Sequence, residues 1–189
     1  MVGLHRNSQK RIYIEGVVYF ITTKTKNNYP FFRDPILARL LIEELRVVKQ
    51  MKGFRIFGFV IMPDHIHALI QPSGRFTISQ IMFTVKKQFS HNANRLLGWN
   101  PIIPTNEGGQ VLGRLRDYVM LHRKSGPRFA WQSSFHDHII RNDRDFENHI
   151  NYTHNNPVKA GYVKCPEDWP WSSCAKSMDD AEDLIYQFA

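Results

Sequence analysis

The spacing of apolar residues predicts an α+β chain, an antiparallel sheet with helices on one face. Two long segments repeat apolar residues at helical spacing, and several short ones are rich in β-branched and aromatic residues. The two kinds alternate in the order βαββαβα, which builds one mixed layer structure rather than separate all-α and all-β parts. At 189 residues the chain fits a single domain large enough to bury a core.

Residues 17–23 read as the first strand, followed by a polar turn over 24–29. Asp34 and Pro35 open a helix whose apolar positions Ile36, Leu37, Leu40, Leu41, Leu45 and Val48 hold helical spacing until Gly53. Residues 54–61 form the second strand. The tight connection Met62-Pro63-Asp64 leads into a third, residues 65–71, antiparallel to the second. Thr77-Ile78-Ser79-Gln80 has the form of a capping box and opens a helix with Ile78, Ile81, Met82, Val85, Phe89, Ala93 and Leu96 on one face, ending near Gly98. Residues 98–128 hold three prolines and five glycines around a helical piece at 112–121 and read as an irregular connection. Residues 135–140 form the fourth strand. Asn142 then caps a helix with acids in its first turn, and Pro157 is expected to stop it. The element order is that of a ferredoxin-like domain spanning 1–178, with an acidic tail at 179–189.

Chemistry concentrates in two places. His65-Ile66-His67 sits in an apolar run, and on a strand His65 and His67 share one face while Ile66, Ala68 and Ile70 share the other. Two parallel imidazoles can hold a divalent cation, although an isolated pair of this spacing is more often a pair of surface histidines. Tyr152 and Asn156, four apart on the last helix, also share a face. A phenol and an amide carbonyl so placed supply a nucleophile and a third metal ligand. Taken alone, a helical Tyr is more often a packing residue with a wet hydroxyl.

Four blocks in order carry a resemblance: Met62-Pro63-Asp64-His65-Ile66-His67, then Trp131-Gln132-Ser133-Ser134-Phe135-His136-Asp137-His138, then Tyr152-Thr153-His154-Asn155-Asn156-Pro157-Val158-Lys159-Ala160-Gly161, then Asp168-Trp169-Pro170-Trp171-Ser172-Ser173. The chain resembles the single-tyrosine HUH transposases of insertion-sequence type, most closely the REP-associated tyrosine transposases. The resemblance implies a ferredoxin-like fold with the HUH element on a central strand and the catalytic tyrosine on a following helix. It also implies metal-dependent nicking of single-stranded DNA and strand transfer through a 5′ phosphotyrosine, that is, DNA transposition. On this reading Tyr152 is the nucleophile, and His65, His67 and Asn156 hold magnesium or manganese. Asp64, His149 and His138 stand behind these ligands as residues that orient or tune them. His136-Asp137-His138 repeats the His-x-His spacing around a charged residue, which favours surface or DNA contact over ligation. Relatives work as monomers or as homodimers with exchanged helices, and both arrangements stay open here.

Composition is compatible with a polyanionic partner. Net charge is +8 with pI near 9.6, and residues 1–100 carry 15 Lys/Arg against 5 Asp/Glu. Single-stranded or hairpin DNA is the expected partner, with Lys86, Lys87, Arg55, Arg114 and Arg116 as candidate contacts and Arg128 of the same ambiguity. Trp169-Pro170-Trp171 is either a base-stacking platform or, as preferred here, a packing element. Only Cys165 and Cys174 occur, so neither a thiolate zinc site nor a disulfide framework is indicated. No stretch has the length of a membrane span and no apolar signal core opens the chain, which places it in the cytoplasm, associated with the nucleoid. The competing reading is a noncatalytic or domesticated nucleic-acid-binding module on the same fold. Replication initiation by a related enzyme is disfavoured by small size and the lack of a helicase segment.

Overall fold

The computed structural model describes residues 13–99, 126–177 and 183–186. Four strands, β1 (Tyr19–Lys24), β2 (Arg55–Met62), β3 (His65–Gln71) and β4 (His136–Ile139), form one antiparallel sheet in the order β2-β3-β1-β4. Among the described residues the helices are α1 (Pro35–Lys52), α2 (Ile78–Leu96) and α3 (Asp143–Lys159). The α+β ferredoxin-like expectation holds, and each strand falls within two residues of its expected bounds. The helical piece expected at 112–121 lies outside the described residues.

Alternation along the strands decides which face meets which helix. Tyr19 and Ile21 of β1 join Ile66, Ala68 and Ile70 of β3 and Ile56, Phe59 and Ile61 of β2 in one core with α1 and α2. Helices α1 and α2 therefore cover one face as expected, but the last helix does not share it. The opposite face, carrying Phe20, Thr22, His65 and His67, receives α3.

The helix ends obey local chemistry. Asp34 accepts a hydrogen bond from the Ile36 N–H at the start of α1, and Gly53 closes it in the left-handed conformation at φ 67°. Thr77 and Gln80 make the reciprocal capping box of α2. Asn142 accepts from the Asp145 N–H to open α3. The expectation that Pro157 stops this helix is corrected: Pro157 lies inside it and is buried. A proline there removes only the bond its N–H would have made one turn back. The real terminator is Gly161 at φ 76°, where its N–H reaches the Val158 carbonyl and the Tyr162 N–H reaches the Pro157 carbonyl.

A register shift between Ile56 and Gly58 marks a bulge at Phe57, whose ring packs on Phe146 of α3 and on Tyr186. The outer edge of β2 is covered by the C-terminal segment. Ile61 N–H donates to the Trp171 carbonyl, Ser173 N–H to Phe59, and Tyr186 N–H to Ile56. Trp169 Nε1 donates to the Ile61 carbonyl, so this tryptophan segment packs onto the body. Residues 183–186 also lie against the body: Leu184 is fully buried and Asp183 pairs with Arg46.

Candidate active site and metal centre

The face of the sheet beneath α3 gathers His65, His67 and Tyr152. The two imidazoles lie with ring centroids 4.8 Å apart, and the Tyr152 ring meets His67 edge to face at 5.2 Å. His67 is buried at 5 % exposure whereas Tyr152 is 41 % exposed, so the phenol faces solvent over a sheltered imidazole. Asn156 follows one turn later on α3, half-buried.

Each histidine is held from behind. His65 Nδ1 lies 2.6 Å from Asp64 Oδ1, and because a carboxylate only accepts, Nδ1 carries the hydrogen and Nε2 is the ring nitrogen left to face an ion. His67 Nδ1 lies 2.8 Å from Thr22 Oγ1, its cross-strand neighbour on β1. Burial, with smaller contributions from His65 and Lys24, lowers the His67 pKa to about 3. A neutral imidazole with its second nitrogen held by a hydrogen bond is the form a metal requires. The donor chemistry of His65 and His67 therefore fits a divalent ion, and Asn156, four residues after Tyr152 on α3, carries an amide oxygen.

Asp64 is itself positioned by the turn. Its carbonyl accepts from both the N–H and the hydroxyl of Thr25, and the neighbouring Pro63 carbonyl accepts from the Phe32 N–H. Phe20 stacks on His67 at 5.3 Å and touches Tyr152 at 5.9 Å and His149 at 4.7 Å, so one phenyl ring separates the histidine pair from a second cluster. That cluster holds His138 and His149, stacked at 4.6 Å, both bonded to Asp145. The Lys159 ammonium stands 5.1 Å over the Tyr152 ring.

Known proteins resemble this chain along most of its length. Residues 14–99 match the family model of IS200-like transposases. A Haemophilus influenzae protein named "Putative REP-associated tyrosine transposase" is 32 % identical over 171 residues, covering 88 % of this chain and 85 % of the relative. The chain belongs to the REP-associated tyrosine transposases. The REP-associated tyrosine transposase of Escherichia coli K12 is 29 % identical over 168 residues, 87 % of this chain and 80 % of that one. A solved structure of a REP-associated tyrosine transposase bound to a REP hairpin superposes with a TM-score of 0.67 at 26 % identity, over 97 % of this chain and 92 % of the other.

Other expected contacts of this transposase fall as follows. Lys86 donates to the Gln132 and Ser134 carbonyls, so its ammonium is engaged within the chain. Lys87 is exposed and lies 5.9 Å from the Phe83 ring. The Arg55 guanidinium stacks on Tyr186 and reaches Gln71. Arg128 is exposed, while Arg114 and Arg116 lie outside the described residues. His136 is exposed on β4, opposite Thr22. His154 turns away from Tyr152 and bonds Ser173 Oγ at 2.9 Å, tying α3 to the segment that edges β2.

Thr22 and Phe20 are site residues that the motifs do not point to, whereas Lys159, His154 and Ser173 lie inside the four sequence blocks but carry no assigned role there. The alternation of β1 places Phe20 and Thr22 on one face, but only the β1–β3 register brings them to His67.

Proposed function

We propose that this transposase nicks single-stranded DNA and transfers the strand through a 5′ phosphotyrosine on Tyr152. The observation that carries the reading is the half-exposed Tyr152 ring set edge to face on buried His67, beside His65, all from one chain. The Tyr152 oxygen forms a bond to phosphorus as the bond to the 3′ oxygen breaks, the phenolic proton passing to solvent and the leaving oxygen taking one up as a 3′ hydroxyl. One phosphodiester replaces another, so attack by a new 3′ hydroxyl completes transfer without a nucleotide cofactor.

His65, His67 and Asn156 would hold magnesium or manganese, which would polarise the scissile phosphate. The chain's own residues do the rest. Asp64 and Thr22 fix the two imidazole rings, burial keeps His67 neutral, and the Lys159 ammonium beside the phenol ring offers positive charge to an incoming phosphate. Because histidines and tyrosine belong to the same chain, a monomer suffices for the site.

Hairpin DNA with an unpaired flank is the substrate class this reading favours, and the relative solved with a REP hairpin supports it. A groove of about 780 Å³ on the α2 side is lined by Lys26, Lys86, Lys87, Arg128 and the exposed ring of Phe83. Lys26 lies two residues beyond Lys24, the register partner of His65, so the groove adjoins the histidine end of the sheet. Its charge suits phosphate contacts by a duplex stem while the flank enters the tyrosine site. Among the described residues no helix is long and apolar enough to cross a membrane, and the proposed work is on DNA in the cytoplasm, at the nucleoid. The test is a nicking assay with an end-labelled hairpin carrying a single-stranded flank, in magnesium or manganese. Cleavage in the flank supports the proposal, whereas tight binding with an uncut strand identifies a noncatalytic binding module.

A further inference from the structure

Beyond Phe20, away from the His65–His67 pair, three ligating side chains converge from two elements. His138 comes from β4, and Asp145 and His149 come from α3 at a spacing of four, which sets both on one helix face. Asp145 Oδ2 lies 2.9 Å from His138 Nε2, and Asp145 Oδ1 lies 3.0 Å from His149 Nδ1. The two rings stack at 4.6 Å with planes only 17° apart; His138 Nε2 faces the carboxylate, and His149 Nδ1 faces both the carboxylate and, at 2.8 Å, the Asp145 main-chain carbonyl, so an ion would displace the protons that make these bonds. All three ligand atoms lie within 4.8 Å of one another. Ligand atoms of a tetrahedral ion, each about 2.0–2.1 Å from it, stand roughly 3.4 Å apart, so the cluster needs only small movements to close on one.

The surroundings also suit an ion. The side chains are 36 %, 19 % and 23 % exposed for His138, Asp145 and His149, a shelter with an opening for a water ligand.

We propose that His138, Asp145 and His149 form a second cation site, taking a borderline transition ion such as zinc or cobalt through two imidazole nitrogens and one carboxylate oxygen. The site is separate from His65 and His67 and does not depend on the chemistry assigned to Tyr152. Its ion ties β4 to the first two turns of α3, and His149 stands one turn before Tyr152. Occupancy therefore fixes the helix that carries the phenol.

The experiment uses the full chain with His65→Ala and His67→Ala, which removes the other histidine pair. Cobalt titration followed by visible absorption should show one equivalent bound per chain. Adding Asp145→Asn or His149→Ala should weaken binding at least tenfold, and zinc should raise the unfolding temperature of the first protein but not of the Asp145→Asn form. In the unmutated chain, diamagnetic zinc, which perturbs chiefly the rings it binds, should also shift the ring resonances of both His138 and His149, a readout that needs no variant to fold. A His65→Ala/His67→Ala chain that binds no cobalt, unchanged affinity after Asp145→Asn, or unshifted His138 and His149 resonances would each overturn the proposal and leave the cluster as a hydrogen-bonded clamp.

Discussion

The imidazole of His67 and the phenol ring of Tyr152 meet edge to face, 5.2 Å between centroids and 71° between planes. One hangs from β3 and the other from α3, so the docking of α3 onto the sheet builds the site. The contacts that set that docking include Ile150 against Gly58, Phe146 on Phe57, His154 with Ser173, and Asp145 with His138.

Gly58 allows the closest of these approaches, because a Cβ there would run into the Ile150 side chain and sit 3.3 Å from both His154 Nε2 and Ser173 Oγ. Gly58→Ala should therefore destabilise the chain by about 1–3 kcal/mol and displace α3. Nicking should fall more than hairpin affinity, and Ile150→Val in the same protein should recover part of the loss. Urea unfolding and single-turnover nicking of the three proteins test this. An alanine variant with unchanged stability and rate would show that the approach is not tight.

The residues behind the histidines should matter to metal binding almost as the ligands do. Asp64→Ala removes the acceptor for His65 Nδ1, and Thr22→Val removes the hydroxyl beside His67 Nδ1. Each should weaken manganese binding by about 10–100-fold while the fold persists. Calorimetric titration measures it, with the His136→Ala variant expected to bind as the parent does.

His67 makes stability depend on acid in a defined direction. Its pKa falls from 6.5 to about 3 on folding, chiefly by burial. As pH drops below 6.5 the unfolded chain takes up a proton that the folded chain refuses, so stability present above that value is lost on the way down towards 3. Between about pH 7 and about pH 4.5 this one group should cost roughly 2–3 kcal/mol. Replacing it by His67→Gln should flatten the dependence by that amount in denaturant unfolding at the two pH values.

Much of this arrangement was legible in the amino-acid order, for reasons that are local. The capping residues Asp34, Thr77 and Asn142, the stop at Gly53 and the strand placement of His65 and His67 follow from short-range chemistry. Pro157 misled because a proline reads as a helix stop, whereas the Gly161 turn ends the helix later. Thr22 and Phe20 were hidden by a different limit: pairing between β1 and β3 is a long-range fact that neither strand states alone. The same limit concealed the Asp145 cluster, which needs β4 laid against α3.

Lys86 and Lys87 are sequence neighbours with different fates. Lys86 spans the Gln132 and Ser134 carbonyls just before β4, so Lys86→Ala should lower stability by about 1–2 kcal/mol. Lys87→Ala should leave stability within about half a kcal/mol and instead reduce the salt dependence of hairpin binding by about one unit of slope. Binding isotherms at several salt concentrations, beside thermal melts, separate the two.

The most direct test is to find the covalent bond. After incubation with a labelled hairpin carrying a single-stranded flank and a divalent metal, the chain should retain DNA through denaturation, and peptide mapping should place the phosphodiester on Tyr152. Tyr152→Phe should fold, bind the hairpin and retain no DNA. A wild-type level of adduct in Tyr152→Phe, or a modified peptide elsewhere in the chain, would contradict the assignment of Tyr152 as the nucleophile.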